Sequence, residues 1–457
     1  MKKSYTYLLL STTLLLGGCV EPTPQNDSQT DLANPFTPIP LPAGSSEKDL
    51  LSQPFLPPKG APIPIVTNTA HTTINEADKT LIAGSNRFAY KLYSQIAQEY
   101  QGKNLIISPL SWDYAMGMVA AGASPSAREE LVQTMGWSAT DKVGLSEYHH
   151  RLTKDLKTTG PKQSIFVANA LWVDKGSNKF LVKDYPPSLL KYFDAGMALL
   201  NLSSAEGIRY INEWIERKSY SKIKELISPD MANEHPRFIL TNALYLKAPW
   251  RMPFDEAGTC AEKFFAANGE VQEVQMMHII EAFDLAELPE ARILRIPTEG
   301  YGFYLNIILP RNEKAKLTAD FLAKHDPIQA FGQNWTPNSS VVRLSLPKLK
   351  IKGESIPLID SNRPKQAQRL GLASLIKSGS LSGIMSDPDL FVGKVLQKCI
   401  VGWDESGVEA AASTAVEAAL PCPLPDPVPF KVDRPFFFAI SHVSSGKLLF
   451  IGQVNQV

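Results

Sequence analysis

The sequence lacks the short motifs that mark the common enzyme classes. It contains no GxSxG nucleophile motif, no HExxH zinc motif, no GxxxxGK[ST] phosphate loop and no GxGxxG dinucleotide fingerprint. Its only pair of adjacent histidines, His149 and His150, falls in a helical pattern, where neighbouring residues do not share a face. We therefore expect a solvated surface there, and no metal or proton-relay site. A triad assembled from distant residues is not excluded, but nothing in the chain predicts catalytic residues or a cofactor.

Cysteine is scarce, and an excess of charge of either sign is absent. The 457 residues include four cysteines, and 46 Lys and Arg residues balance 46 Asp and Glu residues. A neutral chain has no overall field that attracts nucleic acid, so we expect no nucleic-acid partner. The cysteines are Cys19, Cys260, Cys399 and Cys422, without a CxxC pair, which predicts neither a disulfide scaffold nor a zinc site. One disulfide among the last three remains open, and the sequence does not choose the pair.

The N-terminal residues have the layout of an export signal. Met1-Lys2-Lys3 precedes an apolar stretch from Tyr7 to Leu16, which is too short to span a bilayer. Leu16-Gly17-Gly18-Cys19 resembles a bacterial lipobox, which implies that Cys19 receives a lipid and becomes the first mature residue. We expect residues 1–19 to be a lipoprotein signal, and the protein to be exported and anchored to the periplasmic or cell-surface face of a bacterial membrane. The alternative is an ordinary secretory signal with a chance cysteine.

A proline-rich segment follows the export signal. Eleven prolines lie between Val20 and Val66, with few aliphatic clusters, and such a segment cannot bury enough apolar surface to fold. We predict a disordered tether over residues 20–71, which at about 50 residues reaches roughly 40 Å as a coil and about 150 Å when extended. Residues 72–457 show no further linker and are expected to form one folded unit.

Helical and strand patterns are mixed in the folded unit, which predicts an α+β class. Helical periodicity runs from Leu81 to Gly102, from Ser111 to Ala121 and from Ser126 to Met135. Strand signals then dominate, at Ile165 to Val173, Arg237 to Lys247, Ala291 to Pro297, Phe303 to Leu309, Val341 to Ile351 and Leu396 to Trp403. The strand at Arg237 to Lys247 is apolar on both faces, which is typical of a sheet covered on both sides. Two runs near the C-terminus predict a hairpin.

The segment after Trp403 combines a strand pattern with the wrong composition for a permanent strand. One alternating set of positions is Val408, Ala410, Ala412, Thr414, Val416 and Ala418, and the other contains Glu409, Ser413 and Glu417. This alternation predicts one buried and one wet face, yet alanine is a poor strand former. Small side chains suit a strand that must slide between two others. The alternative is an Ala-rich amphipathic helix.

This segment resembles the hinge of inhibitory serpins. The hinge motif is Glu405-x-Gly407-x-Glu409-Ala410-Ala411-Ala412-x-Thr414, and other family signatures occur in the expected order: Asn104 to Ser111, Thr241 to Lys247 followed by Trp250, Val274 to Met277, and Pro435 to Gly452. The resemblance covers residues 72–457. It implies the serpin fold, with mixed central β-sheets, about eight to nine helices and an exposed reactive-centre loop at about 405–429.

The resemblance also implies a mechanism and a set of site residues. A target protease attacks the loop, forms a covalent acyl-enzyme complex with a monomeric inhibitor, and the cut loop inserts into the main sheet as a strand. The hinge residues would be Glu405, Gly407, Val408, Glu409, Ala410, Ala411, Ala412 and Thr414; the latch under the opening strands would be Ser108, Ser111, Asn242 and Gln397, with Trp250 near the insertion point. Gln397 stands where the family usually has a histidine, and Ser219 to Ile223 lacks the family's glycine before Lys222. The serines can equally cap a helix, and Trp250 can be core.

The scissile bond is left within five residues: Ala418, Ala419, Leu420, Pro421 and Cys422. Counting from the hinge as in the family gives Pro421-Cys422, but proline fixes φ and lacks an N–H. Ala419-Leu420 avoids proline and suits an elastase-like or subtilisin-like serine protease. Cys422 can instead face a cysteine protease, form a disulfide or be a chance surface thiol. A serpin fold used without inhibition, as a binding module on the cell surface, is the alternative function.

Overall fold

The computed structural model describes residues 50–52, 74–137, 141–157, 163–313, 318–331, 339–352, 356–409 and 426–457. These residues form nine α-helices and eighteen strands. The helices are α1 Glu76–Ala97, α2 Pro109–Gly122, α3 Pro125–Thr134, α4 Lys142–Lys157, α5 Tyr185–Phe193, α6 Ala205–Lys218, α7 Ala319–Lys324, α8 Pro327–Ala330 and α9 Pro364–Leu370. The strands are β1 Leu50–Ser52, β2 Leu105–Ile107, β3 Ser164–Asp174, β4 Gly196–Leu200, β5 Phe238–Pro249, β6 Cys260–Phe265, β7 Val271–Glu287, β8 Ala291–Pro297, β9 Phe303–Pro310, β10 Ser339–Pro347, β11 Leu349–Lys352, β12 Ile356–Asp360, β13 Lys394–Gln397, β14 Ile400–Asp404, β15 Gly407–Val408, β16 Val428–Lys431, β17 Phe436–His442 and β18 Leu448–Val454.

Two large mixed sheets organise these elements. One has seven strands in the order β1-β4-β3-β5-β15-β14-β11, and the other has the order β16-β10-β7-β8-β9-β17-β18-β2, with β6 also paired to β7. The predicted C-terminal hairpin is confirmed, because β17 and β18 pair antiparallel from Phe436–Val454 to Ser441–Leu448. The α+β class is therefore confirmed.

Strand β5 is covered on both faces, as its sequence predicts. Leu244 and Leu246 belong to the main core, whereas Ala243 packs in a second cluster with Trp172 and with Trp214 of α6. Successive side chains of a strand point to opposite faces, so both faces of β5 contact apolar side chains. This central strand is thus fixed between a helix and the core.

Two predicted strands are each divided in the structure. Val341 to Ile351 is split because β10 ends at Pro347, which has no N–H to continue a ladder. Beyond it β11 joins the other sheet, where it pairs with β14. Leu396 to Trp403 is split into β13 and β14 at Lys398 and Cys399.

Part of the segment that is predicted to be a disordered tether forms a strand. Leu50–Ser52 forms β1, which pairs antiparallel with β4 at the edge of the seven-stranded sheet, with Leu50 opposite Ala198. The physical reason is that an outer strand such as β4 presents backbone groups without partners, and a passing segment can satisfy them.

The expectation of a solvated histidine pair is wrong for His149. Its ring is fully buried, with Nε2 3.1 Å from the Asp113 carbonyl oxygen and an edge contact to Trp137. The buried face of α4 includes Leu145 and Leu152, so position 149 lies on that face. Burial lowers the pKa of His149, and the ring acts as a neutral packing element. His150 is half-buried at the surface.

Candidate functional site

The first hinge residues already form a strand inside the seven-stranded sheet. Gly407 and Val408 make up β15, with Val408 opposite Ala248 of β5 on one side and opposite Trp403 of β14 on the other. Val408 is 2% exposed and Glu405 is 5% exposed. Residues 405–408 are therefore buried at the edge of the predicted loop: Gly407 and Val408 pair with strands on both sides, and Glu405 and Ser406 form the turn between β14 and β15.

Gly407 lies where no other residue fits. Its φ of +153° lies in the region that L side chains rarely adopt, and a Cβ atom would lie 2.4 Å from the Ala248 carbonyl oxygen and 2.5 Å from Pro249 Cα. These contacts are with backbone, which cannot rotate away. The hinge thus approaches β5 closely because glycine has no side chain.

Glu405 is bound by two polar side chains. Lys348 Nζ lies 2.7 Å from its Oε2, and Thr259 Oγ1 donates to its Oε1 at 2.7 Å. Burial raises the pKa of the Glu405 carboxyl, but the bonds from Lys348 and Thr259 outweigh burial and hold that pKa below its usual range. The carboxylate is therefore charged at neutral pH and anchors the start of the hinge.

Trp250 contacts the same turn from the end of β5. Its indole Nε1–H donates to the Asp404 carbonyl oxygen at 2.8 Å, and its backbone N–H donates to the Ser406 carbonyl oxygen at 2.9 Å. The side chain is also buried against Phe254. Both interpretations of Trp250 thus describe the structure: it is a core residue, and it lies at the point where the hinge joins the sheet.

Glu409 forms an ion pair and does not lie on a wet face. Its Oε2 is 2.9 Å from Lys222 Nζ, and the Glu409 side chain is 7% exposed. Its backbone N–H donates to the Gly402 carbonyl oxygen at 3.1 Å, and its φ is +48°. The Tyr245 hydroxyl lies beside it, and burial together with the charge of Glu409 raises the pKa of Tyr245. The alternation pattern missed this pairing because Lys222 is distant in sequence.

The segment that carries Lys222 has the backbone of a glycine-containing turn. Tyr220 and Ser221 have φ values of +51° and +63°, which is left-handed backbone that usually favours glycine. The missing family glycine before Lys222 is thus replaced by serine in the same kind of conformation. The Ser219 hydroxyl accepts the Ile223 N–H at 2.9 Å and closes the turn.

Gln397 contacts the N-terminus of α2. Its Oε1 accepts the Ser108 N–H at 2.8 Å, and its Nε2 donates to the Ser108 carbonyl oxygen at 2.8 Å. The Ser108 hydroxyl in turn accepts the Ser111 N–H at 3.1 Å. Ser108 therefore caps the helix and also joins α2 to β13, while Ser111 contributes its backbone N–H.

Asn242 is placed on β5 and bonds to the neighbouring strand. Its Nδ2 donates to Asn169 Oδ1 at 2.7 Å, and Asn169 in turn donates to the Phe193 carbonyl oxygen at 2.9 Å. Among the described residues, Asn242 Oδ1 is a buried acceptor without a hydrogen-bond partner. A buried acceptor of this kind costs free energy until a donor reaches it.

A slot continues below β15, between β5 and the strands β13 and β14. Within the described ranges, β5 from Phe238 to Lys247 has no ladder partner on the side that faces the slot. At the level of Val408, β15 lies between β5 and β14, so these two strands are about 10 Å apart at that level, twice the normal strand spacing. A cavity of about 350 Å³ lies at the lower end, lined by Phe238, Thr241, Val392 and Val395, with Met116 of α2 beneath.

The remaining site residues lie outside the described ranges. These are Ala410, Ala411, Ala412 and Thr414 of the hinge, the scissile-bond candidates Ala418, Ala419, Leu420, Pro421 and Cys422, and the lipidation residue Cys19. Cys260 is an exposed free thiol and Cys399 a buried one, so these two do not form a disulfide. In the part of the chain that is described, no helix has both the length and the apolarity to cross a bilayer.

Comparisons with known proteins agree with this architecture. In fold, the chain is similar to Serpin48 of the insect Tenebrio molitor, with a TM-score of 0.72 and 24% identity over 84% of this chain and 100% of that one. It is also similar to the thermophilic serpin tengpin in its native state, with a TM-score of 0.69 and 24% identity over 86% of this chain and 97% of that one. These structures define the fold class.

Sequence comparisons extend the similarity to the family. Residues 83–457 match the family model described as Serpin (serine protease inhibitor). An uncharacterized serpin-like protein of Methanosarcina mazei is 28% identical over 383 residues, covering 82% of this chain and 87% of that protein. The Leukocyte elastase inhibitor of Homo sapiens is 28% identical over 389 residues, covering 82% of this chain and 99% of that protein. The chain belongs to the serpin family.

Proposed function

We propose that this serpin traps a target protease by inserting its cut loop into the slot between β5 and β14. The protease serine oxygen attacks a loop carbonyl, the peptide bond breaks, the new C-terminal carbonyl becomes an ester of the protease, and the amine leaves with the residues that follow. The observation that carries the proposal is β15, since Gly407 and Val408 already pair with both slot walls.

The register of β15 specifies how far the loop can extend into the slot. Moving down both strands from the pair Val408–Ala248 brings Ala412 opposite Leu244 and Ala418 opposite Phe238, the first residue of β5. Strand formation from Glu409 to Ala418 would thus cover the open edge of β5 to its end. Residues opposite each other share a face, so Ala412 would meet the core side of the sheet, where only a small side chain fits.

The same register would give Asn242 a partner in the inserted form. Thr414 would lie opposite Asn242, and its hydroxyl can donate to the acceptor Asn242 Oδ1 that lacks a partner among the described residues. On the other wall, Val408 lies opposite Trp403. Extending this antiparallel register by six residues brings Thr414 opposite Gln397. One inserted residue would therefore complete the row of latch residues above α2.

Insertion has a large driving force. Ten residues that join a sheet on both sides form on the order of ten ladder hydrogen bonds, at about 0.5 to 1.5 kcal/mol net each. The total is comparable to the stability of a whole domain. A cut anywhere within Ala418 to Cys422 leaves the full strand on the N-terminal fragment, and an elastase-like or subtilisin-like serine protease suits that sequence, with a cysteine protease as the other target class.

The decisive experiment compares Ala412→Arg with Ala412→Ser against a panel of elastase-like, subtilisin-like and papain-like proteases. The parent and Ala412→Ser should form a covalent complex that survives SDS, because serine fits the core side of the sheet. Ala412→Arg should be cut and released, because a guanidinium cannot enter that side. Sequencing the released fragment identifies the scissile bond.

Two results would contradict the trapping mechanism. One is an SDS-stable complex formed by Ala412→Arg at the rate of the parent. The other is a parent protein that every protease cuts without forming a complex, which would instead favour the non-inhibitory binding module.

We also propose that Cys19 carries a lipid that anchors the inhibitor to a bacterial membrane, on the strength of Leu16-Gly17-Gly18-Cys19. Several acyl chains on one residue anchor a protein stably. Metabolic labelling with palmitate should label the intact protein and leave Cys19→Ser unlabelled. Label that persists in Cys19→Ser would refute the anchor, and an absence of label in the parent would favour the ordinary secretory signal.

A further inference from the structure

A cluster of three different metal-binding side chains lies on strands β6 and β7, away from the slot. Cys260 and Glu262 are two residues apart on β6, so they point to the same face. His278 follows two residues after Met276, which is the β7 partner of Cys260. The thiol, one carboxylate oxygen and one imidazole nitrogen all lie within 4.8 Å of one another.

The distances between these atoms are close to those of a tetrahedral ligand set. Cys260 Sγ is 3.7 Å from His278 Nε2 and 3.9 Å from Glu262 Oε1, and Glu262 Oε1 is 2.9 Å from His278 Nε2. Zinc bonds of about 2.0 to 2.3 Å in tetrahedral geometry place ligand atoms about 3.3 to 3.6 Å apart. Small side-chain rotations therefore suffice to surround one ion.

Two further side chains orient the ligands. Ser345 Oγ lies 3.1 Å from His278 Nδ1, which leaves Nε2 for the cluster. Lys431 Nζ lies 2.6 Å from Glu262 Oε2, which leaves Oε1 for the cluster. Lys431, Ser345 and His278 are register partners across β16, β10 and β7, so the fold itself supplies this support, as around known metal ligands.

The ion pair between Lys431 and Glu262 also offers a competing explanation of the cluster, as a polar network without a metal.

We propose that Cys260, Glu262 and His278 bind one divalent transition-metal ion of the zinc class, with the fourth position open to solvent. A thiolate and an imidazole select zinc-like ions over magnesium or calcium, which prefer all-oxygen sites. The half-exposed positions of Glu262 and His278 and the exposed thiol give the ion direct access. The ion would join β6 to β7 next to β16, the first strand after the reactive loop.

The test uses the reduced full chain titrated with Co²⁺ and, separately, with Zn²⁺. Cobalt should bind with a stoichiometry of one per chain and give tetrahedral ligand-field bands and a thiolate-to-cobalt charge-transfer band. Zinc should displace the cobalt and raise the melting temperature, because an ion that binds only the folded state stabilises it. Cys260→Ser should abolish the charge-transfer band, and His278→Gln and Glu262→Gln should each weaken binding at least tenfold.

Matched controls use another thiol and another surface histidine. Cys422→Ser and His150→Gln should leave the bands and the affinity unchanged. Cys260 and Glu262 lie on β6, whose partner among the described strands is β7, and all three side chains are at least partly exposed, so every variant should melt like the parent without metal. The proposal is overturned if the parent gives no thiolate-to-cobalt band, if the band survives in Cys260→Ser, or if His150→Gln weakens binding as much as His278→Gln does.

Discussion

At the scale of single residues, the hinge depends on a few side chains with separate tasks. Gly407 allows close approach to β5, Glu405 anchors the turn through Lys348, and Glu409 binds Lys222. Glu405, Gly407 and Glu409 could be predicted from the hinge resemblance. Lys348 and Lys222 could not, because each is brought to the hinge by strand pairing and turn conformation that no short sequence window records.

Gly407→Ala should displace β15 from the sheet. The new Cβ would collide with the Ala248 carbonyl and with Pro249 Cα, and strained backbone of this kind costs about 1 to 3 kcal/mol. We expect a lower melting temperature for the intact protein and faster amide hydrogen exchange at residues 402–409. The matched control is Gly393→Ala, where nothing lies within 4 Å of the added Cβ. Equal protection at residues 402–409 in Gly407→Ala and the parent would contradict the structural role of β15.

At the scale of elements, the strands that bound the slot are not equally predictable from the sequence. The run at Arg237 to Lys247 could be predicted as a strand covered on both faces because apolar residues lie on both of its faces. The predicted strand at Leu396 to Trp403 is two strands in the structure, β13 and β14, which are separated by Lys398 and Cys399. The sequence does not predict a strand at Val271–Glu287, which is β7, because charged and apolar residues are mixed along it.

Thr414→Val tests the register of the inserted strand. The two side chains have similar shapes, so loss of the hydroxyl should leave the melting temperature of the intact protein unchanged. After the loop is nicked, the melting temperature of the parent should rise steeply. The rise should be smaller for Thr414→Val, because an unsatisfied buried acceptor at Asn242 costs about 1 to 3 kcal/mol of the free energy of unfolding.

A double-mutant cycle gives the control for this prediction. Asn242→Ala also breaks the bond to Asn169, but the cycle isolates the coupling between positions 242 and 414. The two substitutions should be coupled in the nicked form and additive in the intact form. Additive effects in the nicked form would mean that Thr414 does not reach Asn242.

At the scale of the whole molecule, the fold class could be predicted because family signatures occur in a fixed order from Asn104 to Gly452. The three-residue strand β1 could not, since Leu50–Ser52 lies in a proline-rich stretch and gains its partner only from the outer edge of β4. The proposed metal-binding cluster could not be predicted from the sequence either. Its three side chains come from two strands, and their sequence spacing matches no zinc motif.

The pairing of β1 with β4 has a mechanical consequence if Cys19 is lipidated. Any tension between the membrane and the protein would then enter the fold at Leu50, and three strands separate β1 from β15 in the order of the sheet. A three-residue strand is held by few hydrogen bonds, at about 0.5 to 1.5 kcal/mol each, so β1 would yield under load before the central strands do. If residues 20–71 are the coil that their composition predicts, the connection to the membrane would have two lengths. It would be about 30 residues, with a reach of roughly 30 Å, while β1 is paired, and about 50 residues, with a reach of roughly 40 Å, once β1 is released.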